Sequence, residues 1–262
     1  MMSNSIKSAI FITVRMKSVR LPNKALLKIK GKPVIEHLID RLKLAKLSDL
    51  IVLCTSTHPD DAILIDVARK NHIEHFRGSE DDKLDRYLNS AQKYGLDFII
   101  VTEGDNIFYE PSIIDSIIRL YQRTKADYIA YRGLPLGTSP HGISFKSLQR
   151  VCQIKDTIHT EAFGAYFTDT GLFKVEYLNV GKELRHPEIR LTLDYPEDYE
   201  LFKEIFGRLY QSGKFFSLRD IISLLRSNPQ LMDINRNVRG AYSECLKKCT
   251  PVKLKDLPDV NL

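Results

Sequence analysis

Arg15, Lys17, Arg20 and Lys24 fall within ten residues that hold no carboxylate, directly after the apolar run Ala9-Ile10-Phe11-Ile12-Thr13-Val14. Ligands of open α/β sheets bind in the crevice beyond the carboxyl ends of the strands, so cations gathered there are suited to a polyanion. Triphosphate is the natural candidate, because Arg grips phosphate oxygens through a planar fork and Lys adds a point charge. The G-x-x-x-x-G-K-[ST] phosphate loop is absent, and Pro22 rather than glycine shapes the turn. Taken alone, such a cluster also fits a solvated basic turn.

Acids at two other places change that balance. Thr102-Glu103-Gly104-Asp105-Asn106 follows a second apolar run, and a carboxylate there, beside a permissive glycine, is placed to hold a hard cation over a cleft. By itself Asp105 fits a helix cap or Asx-turn equally well. Ile189-Arg190-Leu191-Thr192-Leu193-Asp194 predicts a strand that again ends in an acid, with Tyr195-Pro196-Glu197-Asp198 opening a helix. Helix N-terminal chemistry accounts for Glu197 and Asp198 but not for Asp194. Asp105 and Asp194 together suit one Mg²⁺, with substrate phosphates completing its octahedron.

The elements that must position these residues alternate along the chain. Helices are predicted over residues 34–42, 60–71 (Ile63 and Val67 on its inner face), 81–94 and from Pro111 through Tyr121, and strands over 9–14, 50–55, near Phe76, and over 98–102. This βαβαβ rhythm predicts a parallel, doubly wound sheet with helices on both faces. From Tyr128 to about Leu184 the rhythm breaks, which reads as an excursion from the sheet that builds an acceptor pocket or a dimer surface. The expected division is an α/β domain over 1–211, including that excursion at about 130–185, and a helical extension with a basic tail over 212–262.

Composition narrows the class further. The 43% hydrophobic content supports a buried core, whereas the apolar runs are too short to span a bilayer, and no signal-peptide pattern precedes them. A cytoplasmic chain is expected. The net charge of +6 is not gathered into a stripe interleaved with aromatics, which argues against a nucleic-acid partner. Cys54, Cys152, Cys245 and Cys249 have no zinc-site spacing with histidines and read as reduced thiols.

Several motifs carry a resemblance. Arg15-x-x-Ser18-x-Arg20-Leu21-Pro22-x-Lys24, Gly104-Asp105 and Leu191-Thr192-Leu193-Asp194-Tyr195-Pro196-Glu197-Asp198 resemble the cytidylyltransferase family, which includes the CMP-Kdo and CMP-sialic acid synthetases. Arg77-Gly78-Ser79-Glu80-Asp81-Asp82-x-Leu84-x-Arg86-Tyr87, with Ile234-Asn235 and Arg239-Gly240-Ala241-Tyr242, is most similar to its spore-coat-polysaccharide, SpsF-like members. The similarity runs from about residue 8 to 245, with its motifs in the expected order.

The resemblance implies a Rossmann-like, GT-A-type sheet and transfer of CMP from CTP to a small acidic sugar acceptor, with release of pyrophosphate and with Mg²⁺ as cofactor. It implies phosphate binding by Arg15, Arg20 and Lys24 with Ser18 in the same loop, catalytic roles for Arg15, Lys24 and Asp105, and metal binding by Asp105 and Asp194. Arg77 and Ser79 are candidates for the nucleotide, and Arg86, His141 and His159 for the acceptor, with a helical Asp82–Arg86 ion pair as the plainer reading of Arg86. A homodimer, joined through residues 130–180, is expected from the same likeness. Two departures stand out: Lys17 and Asn23 occupy places where the family usually has glycine, and Lys tolerates left-handed backbone poorly. A glycosyltransferase using a nucleotide sugar and a non-catalytic paralogue are the competing readings. The first would favour a D-x-D motif after the fourth strand, which is absent; the second draws on Lys17 and Asn23.

Overall fold

The computed structural model describes residues 6–238 and 252–255. The Arg239–Tyr242 motif, Cys245 and Cys249 lie outside these residues. In chain order the elements are β1 (Ser8–Thr13), β2 (Lys28–Ile29), β3 (Lys32–Pro33), α1 (Val34–Leu42), β4 (Leu50–Ser56), α2 (Ala62–Lys70), β5 (Glu74–Gly78), α3 (Lys83–Tyr94) and β6 (Phe98–Glu103). They continue with α4 (Pro111–Thr124), β7 (Tyr128–Arg132), β8 (His141–Ser144), α5 (Phe145–Ile154), α6 (Gly164–Thr168), β9 (Val175–Asn179), α7 (Pro196–Leu209) and α8 (Leu218–Ser227).

Every residue of β1 is buried, as expected of a strand covered on both faces. It pairs in parallel with β4 on one side and β6 on the other, within a seven-stranded sheet of order β5-β4-β1-β6-β8-β7-β9. Its side chains alternate between two cores. Ile10 and Ile12 pack with α1, α2, α4, α7 and α8, whereas Ala9 and Phe11 pack with α3, α5 and α6. Truncating a fully buried Ile of this kind to Ala costs about 2–5 kcal/mol. The fold is thus a mostly parallel, doubly wound sheet with helices on both faces, as the alternation predicts. The extension after residue 211 closes the first core through Leu218, Ile221, Ile222 and Leu225 of α8.

Three expectations are corrected. The segment after Tyr128 does not leave the sheet: β8 runs antiparallel between β6 and β7, and β9 pairs in parallel with β7 at the edge. Residues 189–194 do not form a strand; they lie extended with a single bridge from Arg190 to Leu136. On α2, Ile63 faces solvent while Leu64, Ile65, Val67 and Ala68 face inward.

Candidate active site

The sheet order reverses at β1, whose neighbours β4 and β6 come later in the chain, and the crevice at such a switch point is where open α/β sheets bind ligands. A cleft of about 410 Å³ opens there. The basic loop after β1 forms one wall, with Arg15, Lys17, Ser18, Arg20 and Lys24 all lining it, and Asp105 and Asp194 face them.

The loop is anchored rather than free. The Met16 N–H donates to buried Asp61 at 2.6 Å, and Leu21 and Ala25 insert into the core. Asn23 takes the left-handed conformation (φ 56°) just before a short 3-10 turn, Lys24–Leu26, so it does here what glycine would do. Lys17 takes no left-handed backbone and extends to Glu80 at 3.4 Å. Neither departure from glycine distorts the loop. Gly104 lacks the positive φ expected of it and matters for space instead: a Cβ would sit 2.6 Å from Val14 Cβ.

At one end of the cleft the Lys24 ammonium bridges the two acids, in contact with Asp105 and 2.9 Å from Asp194 Oδ1. Asp194 also receives Arg20 at 3.4 Å, Arg190 at 3.3 Å and the Thr192 hydroxyl at 3.3 Å. Burial works against the charge on Asp194, but Lys24, Arg190 and Arg20 outweigh it and hold the carboxyl below its usual range. Burial pushes the Asp105 carboxyl up despite Lys24 beside it, and among the described residues its Oδ1 has no hydrogen-bond partner. Burial opposes the Lys24 charge too, yet Asp105 and Asp194 raise its pKa.

Asp198, read from sequence as a helix-start residue, is fully buried behind this end. It accepts two hydrogen bonds from Arg190 at 2.8 Å, the Asp194 N–H at 3.0 Å, the Tyr195 N–H at 3.1 Å and the Asn235 amide at 2.8 Å. It both caps α7 and fixes the backbone that carries Asp194.

The far end holds residues the sequence reading missed. Lys83, the first residue of α3 and almost fully buried, pairs with Glu161 at 2.7 Å and Glu103 at 3.4 Å. Glu161 also accepts from Arg15 at 3.2 Å, and Arg15 donates to the Glu80 carbonyl at 2.9 Å. Burial alone would lower the Lys83 ammonium, but Glu103 and Glu161 raise it. Glu161 is aimed by its neighbour: Thr160 is buried, donates to Asp82 at 3.0 Å and accepts the Leu84 N–H at 3.1 Å. One signal existed in the sequence, since a cation at a helix N-terminus opposes the macrodipole. Glu161 gave none.

Arg86 lies in the cleft floor, fully buried, donating to the Ser79 carbonyl at 2.7 Å and the Thr13 hydroxyl at 3.1 Å rather than pairing with Asp82. Asp82 is taken by Lys155 and Thr160. The other candidates are not brought into the cleft lining. Arg77 donates to the backbone carbonyls of Ser56 and His58 at 3.0 and 2.8 Å, and Ser79 accepts the Asp82 N–H at 3.1 Å. His141 sits in β8 against the Tyr128 hydroxyl (2.8 Å) and edge-on to Phe163, where burial lowers its pKa to about 4. His159 is exposed on the loop before α6.

A cation-lined cleft at the switch point, closed by two converging acids, has the features of a nucleotidyltransferase. The cytidylyltransferase family model matches residues 9–221, and the chain belongs to that family. An uncharacterized protein of Methanocaldococcus jannaschii is 33% identical over 235 residues, covering 87% of this chain and 94% of that protein. The spore coat polysaccharide biosynthesis protein SpsF of Bacillus subtilis is 29% identical over 225 residues, covering 83% and 93%. A cytidylyltransferase structure from Leptospira borgpetersenii superposes with a TM-score of 0.78 at 26% identity, covering 87% of this chain and 97% of that one. The protein is therefore an enzyme of the nucleotidyltransferase class. Among the described residues no helix is long and apolar enough to cross a membrane.

Proposed function

We propose that this enzyme transfers CMP from CTP to a sugar acid or a related surface-polysaccharide or lipopolysaccharide precursor, with Mg²⁺ as cofactor. The observation that carries the reading is the meeting of Lys24, Asp105 and Asp194 in one cleft, although the three come from the β1 loop, the end of β6 and the segment before α7. An acceptor oxygen attacks the α-phosphorus, the bond to the β-phosphate breaks, and pyrophosphate leaves with that bond's electron pair. Such chemistry rests on positioning and on neutralising charge.

The donor set fits a magnesium ion. No described group of three or more His, Cys, Asp or Glu forms a closed metal cage, whereas two carboxylates, one with a buried unpartnered oxygen, suit an ion that takes its remaining ligands from phosphates and water. Asp105 and Asp194 would hold it, and it would supply charge neutralisation on the phosphates. Arg20 and Lys24 beside the acids, with Arg15 reaching in from the Glu161 side, grip the triphosphate and steady the departing pyrophosphate. Arg86 and Lys83 offer donors at the other end for the nucleoside or the acceptor. The kinship with a polysaccharide biosynthesis protein supports the acceptor class. A homodimer through residues 130–180, in the cytoplasm, completes the reading; the edge position of β9 supports that surface.

Calorimetric titration of CTP, UTP, GTP and ATP with and without Mg²⁺ tests it. Micromolar, Mg²⁺-dependent binding of CTP alone is expected, followed by pyrophosphate release with an acidic sugar. Absence of triphosphate binding would overturn the reading.

A further inference from the structure

We propose that the Lys24 ammonium is a built-in occupant of the divalent-cation site, so that Asp105 and Asp194 accept a metal ion only after nucleotide phosphates have drawn Lys24 away. The inference rests on the metal reading above and deepens it, by making metal loading follow nucleotide binding.

Three observations carry it. Lys24 contacts both carboxylates at once, and among the described residues it is the only cation paired with Asp105. Asp194 does not depend on it in the same way, because Arg20 and Arg190 also reach that carboxylate. Asp105 Oδ1 is buried and has no hydrogen-bond partner among the described residues. Buried acceptors are rarely left so, and a group that completes the site in another state explains the exception.

The electrostatics follow. A positive charge in contact with both ligands repels an arriving dication strongly in a half-buried cleft. Lys is a point charge on a flexible stem, able to exchange carboxylates for phosphate oxygens without moving its backbone. A triphosphate among Arg15, Arg20 and Lys24 offers that exchange and frees both acids together. By linkage, whatever factor the nucleotide adds to metal affinity the metal returns to nucleotide affinity.

The test is titration of Mn²⁺ alone, with free metal followed by electron paramagnetic resonance, into the wild type, Lys24→Met, Lys24→Arg and the double variant Lys24→Met/Asp105→Asn. Wild type and Lys24→Arg should bind Mn²⁺ weakly without nucleotide. Lys24→Met should bind it at least about tenfold more tightly, because a contacting like charge is gone. The double variant should lose that gain. Lys24→Gln replaces Lys24→Met if the latter does not fold. Tight Mn²⁺ binding by the nucleotide-free wild type overturns the proposal without any variant, and so does equal affinity in wild type and Lys24→Met. If either result comes while CTP binding by the wild type still requires Mg²⁺, only the blocking role of Lys24 fails. If CTP binding ignores Mg²⁺, the metal reading fails as well.

Discussion

At each end of the cleft two acids flank one lysine: Asp105 and Asp194 hold Lys24 at one end, and Glu103 and Glu161 hold Lys83 at the other, where Arg15 also reaches Glu161. The two ends differ in how firmly they are held. The side chains of Lys24, Asp105 and Asp194 are only 10–16% exposed, whereas Glu161 is 58% exposed and Glu103 45%. A buried, backed arrangement suits a step in which charge must be met at fixed positions, because preorganised groups need not reorganise as the reaction proceeds. An open, water-screened pair of acids around one buried lysine suits recognition, where partners exchange at low cost.

Four substitutions break or sharpen this contrast. Asp194→Asn should have the largest effect, lowering kcat/KM by about 10³-fold or more with the circular dichroism spectrum preserved; near-normal turnover would remove Asp194 from the chemistry. Asp198→Asn acts behind the same end, weakening a fully buried counter-ion of Arg190 and costing about 3 kcal/mol in denaturant unfolding. An unchanged unfolding midpoint would mean that Asp198 does not support the Asp194 segment. Glu161→Gln at the open end should change KM by about tenfold or less, with kcat almost intact; a collapse of kcat would make the two ends alike.

Smallest is His141→Asn, which touches neither end and should leave kcat/KM within about twofold from pH 6 to 8. With its folded pKa held near 4, His141 is neutral throughout that range and adds no step to the activity profile. Its depressed pKa instead favours the folded state above pH 6.5. That contribution drains as pH falls from 6.5 towards 4, where the unfolded chain binds the proton first. A thermal-melt series over those pH values should therefore show a smaller acid loss in the variant than in the wild type.

What could be read from the chain divides along the same line. The basic loop, Asp105 and Asp194 were legible because each follows a local apolar run, and α1 was legible at its full extent because its 3.6-residue periodicity is undisturbed. The network behind Asp194 was not. Asp198 looks like ordinary helix-start chemistry, and only packing brings Arg190 and Asn235 to it. Residues 189–194 read as a strand because they are apolar and alternating, yet their neighbour is the irregular segment around Leu136, which offers one bridge rather than a ladder. The stretch beyond Tyr128 read as a departure because β8 enters the sheet antiparallel, an order that no local pattern encodes. Glu161 sits where the sequence has no periodicity, and its place depends on Thr160 meeting the start of α3.

Gly104 gives the molecule a fixed clearance. The loop bearing Asp105 rests on the Val14 side chain, so closely that a Cβ on Gly104 would lie 2.6 Å from Val14 Cβ, and the Gly104 N–H ties it to the Thr13 carbonyl at 2.8 Å. The spacing between the acid that would hold the metal and the loop that would hold the phosphates is therefore set by the Gly104 backbone lying directly against the Val14 side chain, with no room for a methyl group between them. An added methyl group would widen that tolerance across the mouth of the cleft, so the enzyme would lose reach between its two sets of charges while the sheet beneath stayed whole.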